Sequence, residues 1–299
     1  MPEPFSILEV ALAMRSDVEH LGSKPKFWFK HQGQNWLFKE ARENTGEDWS
    51  EKLASEIASL LGLPTHHAEL ALWQGKRGCA VKSFLSSNQQ VLIHGNELLG
   101  GLLTSYDKEK VFGQCDHTFD NIVAVLEKLF PHEKHRRIAA IHMVGYLVLD
   151  ALVGNTDRHH QNWGMLLERK EGPDKQPSFV LQLAPTFDHA SSLGRELTDE
   201  ARKRHLQEGT IQRYIAKGRG GIFEHGHAKH GMSPMVTAEM LARRYPKFFK
   251  PWQTRVGELS DVILKELVAR IPDERISAAG RTFALAFLSA SRKLIVEAL

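Results

Sequence analysis

In the polar segment Gly154-Asn155-Thr156-Asp157-Arg158-His159-His160-Gln161-Asn162, an aspartate and an asparagine are separated by four residues. That spacing suits phosphoryl transfer, which needs a carboxylate to orient and deprotonate an attacking hydroxyl and an amide oxygen nearby to hold Mg2+. Asp157 is the candidate base and Asn162 a candidate metal ligand, although an ordinary polar loop can contain the same two residues. Further on, the apolar run Phe179 to Phe187 ends in Asp188, where a second metal-binding carboxylate would stand. Magnesium takes a few hard oxygen donors and fills its remaining positions with water and phosphate, so one Asp and one Asn suffice. The plain alternative for Asp188 is a turn before Ser191-Ser192.

Such a site also needs a lysine for the phosphates, steered by a carboxylate on a helix. Lys39 ends an aromatic run and is the candidate; Glu51 and Glu56 follow it on one predicted helix and cannot both point to the same spot, and Glu51 is the choice. Ahead of Lys39, the turn around Gly22, Ser23 and Lys24 offers backbone N–H groups and lysines suited to phosphate, though a surface turn would look the same.

These residues need elements to hold them. Phe27–Lys30 and Trp36–Lys39 read as a β-hairpin turning through residues 32–35. Leu53, Ile57, Leu60 and Leu61 repeat at helical spacing, Glu47, Asp48 and Glu51 crowd the helix start, and Gly62 with Pro64 stops it. Strands are expected over residues 68–72 and 78–84 around the turn Gln74–Arg77. After residue 88 the pattern turns helical: one helix from Thr118 to Phe130, then a strongly apolar one from His132 to Val153 that stops at Gly154. Short strands are expected at residues 163–167 and 178–183, with helices again from Thr237. The result is a β-rich N-terminal lobe, residues 1–84, and a larger helical lobe, residues 85–299.

Composition adds exclusions. The 299 residues are 42% apolar and 25% charged, which fits a globular protein and no disordered or fibrous class. Lys+Arg 39 against Asp+Glu 36 leaves +3, too little to imply nucleic acid or membrane binding by field strength. Two cysteines, Cys79 and Cys115, suit a reducing compartment. With no leader pattern and an apolar run, Ile138–Val153, that is short and interrupted by His142 and Asp150, a cytoplasmic protein is expected.

The chain resembles the HipA-like serine/threonine kinase family. The resemblance rests on Gly-Asn-Thr-Asp157-Arg-His159-His-Gln-Asn162-Trp-Gly, Leu-Ala-Pro-Thr-Phe-Asp188-His-Ala-Ser-Ser, and the helix end at Gly62-Leu63-Pro64; it spans roughly residues 22–290. It implies an α+β, bilobal protein-kinase-like fold, ATP and Mg2+ as cofactors, and transfer to protein Ser or Thr. By motif, Asp157 resembles the base, His159 its loop companion near nucleotide, Asn162 and Asp188 the metal ligands, and Lys39 the phosphate lysine. Lys82, Ser83 and Phe84 resemble the inter-lobe segment whose backbone meets adenine. Family toxins carry an additional N-terminal subdomain of about a hundred residues, a domain-sized piece; this chain resembles the kinase core alone. Ser23 is the one Ser or Thr between Asp17 and Lys39 that could match the family's autophosphorylated serine. The resemblance also suggests a translation-related protein substrate and an antitoxin or other regulatory partner, with no membrane and no nucleic acid bound directly.

Two further readings belong to other classes: a small-molecule or lipid kinase with the same Asp-to-Asn loop, and a nucleotide-binding pseudokinase or scaffold. The 16 histidines invite a zinc reading at His225, His227 and His230, but the spacing lacks the helical or Cys-paired pattern of a strong zinc site. The basic residues Arg195, Arg202, Lys203, Arg204, Arg213, Lys217 and Arg219 fall where a kinase has its activation and substrate segment; a solvated face is the simpler account.

Overall fold

The computed structural model describes residues 2–11, 14–18, 25–171 and 176–298. The Gly22, Ser23 and Lys24 turn therefore lies outside the described residues. In chain order the elements begin with β1 (Ile7–Glu9), β2 (Arg15–Val18), β3 (Lys26–His31), β4 (Gln34–Glu40), α1 (Glu47–Leu60), β5 (Ala68–Trp73) and β6 (Lys76–Lys82). They continue with β7 (Gln90–His94), α2 (Gly95–Leu102), α3 (Phe119–Leu129), α4 (Glu133–Val153), β8 (Gly164–Glu171) and β9 (Pro177–Leu183). The helices α5 (Asp199–Gln207), α6 (Ile211–Lys217), α7 (Pro234–Arg244), α8 (Pro246–Glu258), α9 (Asp261–Ala269) and α10 (Ala278–Val296) complete the chain.

The first six strands form one sheet in the order β1-β5-β6-β4-β3-β2, antiparallel except where β1 runs parallel to β5. Both of its tight hairpins turn on a Gln-Gly pair with positive φ at each residue: Gln32 (48°) with Gly33 (72°), and Gln74 (49°) with Gly75 (77°). Two left-handed residues in a two-residue loop match the twist of the flanking strands, so both turns are tighter than the four-residue stretches expected from sequence. Phe27, Phe29, Trp36 and Phe38 fill one face of this sheet with Ala71 and Ala80. On the sheet also packs α1, whose Leu53, Ala54 and Ile57 join the main core with Leu70.

The second sheet, β7-β8-β9, is antiparallel and belongs to the helical part. It brackets the proposed chemistry: the loop of residues 154–163 joins α4 to β8, and Asp188 follows β9. Helix α4 is the axis of the large core, packing on α7, α8 and α10. Gly145 is needed there, because a Cβ would lie 2.5 Å from Trp252 of α8. Gly154 caps α4 at φ 70°, and a Cβ would lie 2.4 Å from the Phe287 ring of α10. Glycine meets both demands, the left-handed backbone and the absent side chain.

Several elements were not anticipated. The strand expected over residues 78–84 is β6, which ends at Lys82, so Ser83 and Phe84 lie beyond the sheet. Strand β7 is short, and α2 contains three glycines (Gly95, Gly100 and Gly101) and is held at its start by a reciprocal cap between His94 and Glu97. Helix α5 is charged nearly all round, so its sequence shows only a basic stretch; Thr198 caps it and Arg202 is its buried residue.

Candidate active site

Two carboxylates at the start of α1 are buried rather than capping into solvent. Glu47 binds Arg42 at 3.1 Å and, closely, Arg195; Asp48 takes a bidentate Arg77 and the buried Arg275 at 3.0 Å. Ser50 donates to the Ser192 carbonyl at 3.1 Å. The helix is thereby tied to the segment after Asp188, and its next inward residue, Glu51, is fixed at full burial.

Lys39 reaches Asp188 across 149 residues, Nζ to Oδ1 at 2.8 Å. Burial opposes the lysine's charge, but Asp188 and then Glu51 outweigh it and raise its pKa above the ordinary value. Burial likewise opposes ionisation of Glu51, yet Lys39, followed by His66, holds its pKa well below the usual range. Glu51 Oε1 accepts the His189 backbone N–H at 3.0 Å and lies 2.8 Å from His66 Nε2, close but poorly aligned for a hydrogen bond. His66 Nδ1 donates to the Thr186 carbonyl at 3.0 Å, and the His66 and His189 rings stack with centroids 5.1 Å apart. Glu56, the other helix carboxylate, pairs with Lys52 at 2.7 Å. Asp188 itself has φ 61°, a left-handed conformation that Asp tolerates better than most side chains.

The loop of residues 154–163 is organised from beneath by Arg158. Its guanidinium grips Asp150 of α4 with Nε at 2.7 Å and Nη2 at 2.8 Å, reaches Thr186 Oγ1 at 3.0 Å and the Phe187 carbonyl at 3.3 Å, and makes a close contact to the Asn162 carbonyl. One buried arginine therefore ties together α4, the Asp157 loop and the Asp188 segment. Asn155 bridges too, donating to Asp150 at 2.9 Å and accepting the Asp157 N–H at 3.1 Å. Asn162 Nδ2 donates to the Asp157 carbonyl at 2.7 Å, so its amide oxygen is the atom that could hold a metal. Together with the Asp188 carboxylate it would supply hard oxygen donors of the kind Mg2+ takes.

His159 Nδ1 accepts the Gln161 N–H at 3.2 Å, so the neutral ring carries its proton on Nε2, 4.0 Å from Asp157 Oδ1. Burial pushes its pKa down to about 4. Exposed Phe112 meets this ring edge-on at 6.0 Å. Below it, Tyr106 lies 2.8 Å from His160 Nδ1, while Trp163 donates to His117 Nε2 at 3.0 Å and His117 Nδ1 donates to the Gly221 carbonyl at 2.7 Å.

In the inter-lobe segment, the Lys82 and Ser83 N–H groups go to His67 and Asn35 carbonyls at 2.8 and 2.9 Å. The Phe84 ring lies 5.7 Å from Phe187, one residue before Asp188. Sequence reasoning missed Arg158, Asp150, His66 and His189 as parts of this site. Asp150 carried a usable signal, since a carboxylate in an apolar helix must find a partner. His66 carried none, because its partners Glu51, Thr186 and His189 come from distant segments. Among the described residues, the metal-capable grouping is Glu51, His66 and His189, with ligand atoms all within 4.8 Å. The exposed His225 and His227 rings stand 6.5 Å apart in their loop.

No curated protein matches the sequence. Among solved structures, the chain is similar to the Helicobacter pylori proinflammatory kinase CtkA, at 16% identity and TM-score 0.76, covering 98% of this chain and 96% of that one. It is also similar to HipA of Shewanella oneidensis MR-1, solved with HipB and operator DNA, at 11% identity and TM-score 0.58, covering 97% of this chain and 65% of that one. These likenesses establish the bilobal kinase-like fold. The model of the HipA-like C-terminal domain matches residues 19–241, most of the chain, and the protein belongs to that family.

Proposed function

We propose that the protein is a serine/threonine protein kinase that uses ATP and Mg2+. The observation that carries the reading is the meeting of Lys39 with Asp188 at 2.8 Å, while Arg158 ties the Asp188 segment to the loop holding Asp157 and Asn162. Lys39 holds phosphate oxygens, and Gly22, Ser23 and Lys24, outside the described residues, are the further phosphate-binding candidates. Asn162 and Asp188 hold the metal, which when bound neutralises phosphate charge. Asp157 orients the acceptor hydroxyl and takes its proton as the oxygen attacks the terminal phosphorus and the bond to the departing ADP oxygen breaks. His159, neutral at working pH, sits beside Asp157 and toward the nucleotide. Glu51 fixes Lys39 by charge.

The adenine lies against Lys82, Ser83 and Phe84 at the boundary between lobes 1–84 and 85–299. Because the Lys82 and Ser83 N–H groups go to the His67 and Asn35 carbonyls, and the Leu85 N–H goes to Ser83 Oγ, the base edge meets the carbonyls of this segment. The chain is read as cytoplasmic, and by analogy with the HipA–HipB complex its partner is a protein regulator of the antitoxin kind. No helix among the described residues is long and apolar enough to cross a membrane. Incubation with labelled ATP and either proteins or small alcohols tests the acceptor class: label in polypeptide supports the reading, and label in small alcohols alone replaces it with a small-molecule kinase.

A further inference from the structure

Beside Thr156, the residue before the proposed base, opens a cavity of about 260 Å³ that none of the roles above uses. Its walls are mainly carbon: Ile215 of α6, Met235 of α7 and the Phe287 ring of α10. Its mouth carries Thr156, Glu196 and Lys217, all exposed, with the Glu196 carboxylate accepting the Tyr214 hydroxyl at 2.6 Å. The volume falls just under the range of about 300–1,000 Å³ typical of small-molecule pockets and suits one large side chain. One acid and one base at the rim give no net preference for charge, so the selective surface is the apolar interior.

Consecutive Cα atoms are about 3.8 Å apart, so anything entering beside Thr156 is close to Asp157. We propose that this cavity receives an apolar side chain of the acceptor polypeptide, within about three residues of the phosphorylated Ser or Thr. The inference rests on the protein-kinase reading and sharpens it: the acceptor is a protein segment with a large apolar residue close to its hydroxyl. Burial of such a side chain is the energetic gain, and the backbone on either side stays at the polar rim.

The test uses fluorescent peptides with a central Ser and either Leu, Phe, Asp or Gly at each flanking position, titrated into the full chain with ADP and Mg2+. Leu or Phe at one position is expected to tighten binding about tenfold or more over Gly. Met235→Trp fills the cavity and abolishes that preference, while Met235→Ala widens it and shifts the preference from Leu towards Phe. Gly218→Leu narrows the mouth from the surface, at an ordinary φ of −51° and with its Cβ 3.3 Å from Thr156, and gives the same loss without touching the core. Unchanged nucleotide affinity certifies the two Met235 variants, and Gly218→Leu must also keep the melting temperature. Absence of any apolar preference in the wild type, or a preference that none of the three variants moves, overturns the pocket. Preference without Asp157-dependent transfer would leave the pocket standing and remove the kinase reading; transfer without preference would do the reverse.

Discussion

Asp48 and Arg275, 227 residues apart, meet at 3.0 Å with both side chains buried. The same arginine donates to the Ala71 carbonyl at 3.1 Å, so one guanidinium joins the first turn of α1, strand β5 and the segment before α10. The helix that presents Glu51 is therefore anchored at its start to the far end of the chain. Arg275→Ala would strand the Asp48 carboxylate with the more exposed Arg77 alone. The expected loss is about 3–5 kcal/mol of stability, read by denaturant unfolding, because breaking a buried pair leaves an uncompensated charge.

Arg158 predicts a different signature. Its fork serves Asp150, Thr186 and two carbonyls at once, and a lysine cannot reproduce planar, multidentate donation. Arg158→Lys should lower kcat by about a hundredfold, the cost of roughly 1 Å of misplacement, with nucleotide affinity changed little. Steady-state kinetics beside nucleotide titration separate the two; a loss confined to KM for ATP would assign Arg158 to nucleotide binding instead.

The histidines under the loop give a pH prediction. Burial pushes His159 and His160 down to about 4 and His117 to about 3, so the folded protein keeps them neutral where the unfolded chain would protonate them. Their depressed values contribute no penalty above the ordinary histidine pKa of about 6.5 and cost stability as pH falls below it. Unfolding free energy should decline between pH 6.5 and 4, by up to about 1.4 kcal/mol per pH unit for each such histidine. His117→Gln, measured across the same range, should flatten that slope; a slope identical to wild type would contradict the assignment.

Much of this site was legible because its chemistry lies in two local motifs. Asp157 and Asn162 sit in one loop, and Asp188 follows an apolar run, so spacing taken together with its context made them candidates. Lys39 was readable as a candidate from the aromatic hairpin, whereas helical phase showed only that Glu51 and Glu56 cannot point to the same spot. What the residues could not disclose is how these pieces meet. The acidic start of α1 looked like a dipole effect, whereas Glu47 and Asp48 are buried ion-pair partners of distant arginines. The adjacent pair His66-His67 gave no hint that one ring stacks on His189 while the other, exposed, pairs with half-buried Glu69. Helices α2 and α5 lacked an apolar stripe, since one is glycine-rich and the other is held by its cap and a buried arginine. Long-range pairing leaves no periodic trace in a single sequence.

The central claim is that Asp157 is the base for transfer to a polypeptide hydroxyl. The most direct measurement is transfer of label from ATP to protein by wild type and by Asp157→Ala, with ATP binding measured on both. The account predicts retained nucleotide binding and a fall in transfer of about 10²–10⁴; equal transfer by the two proteins would contradict it.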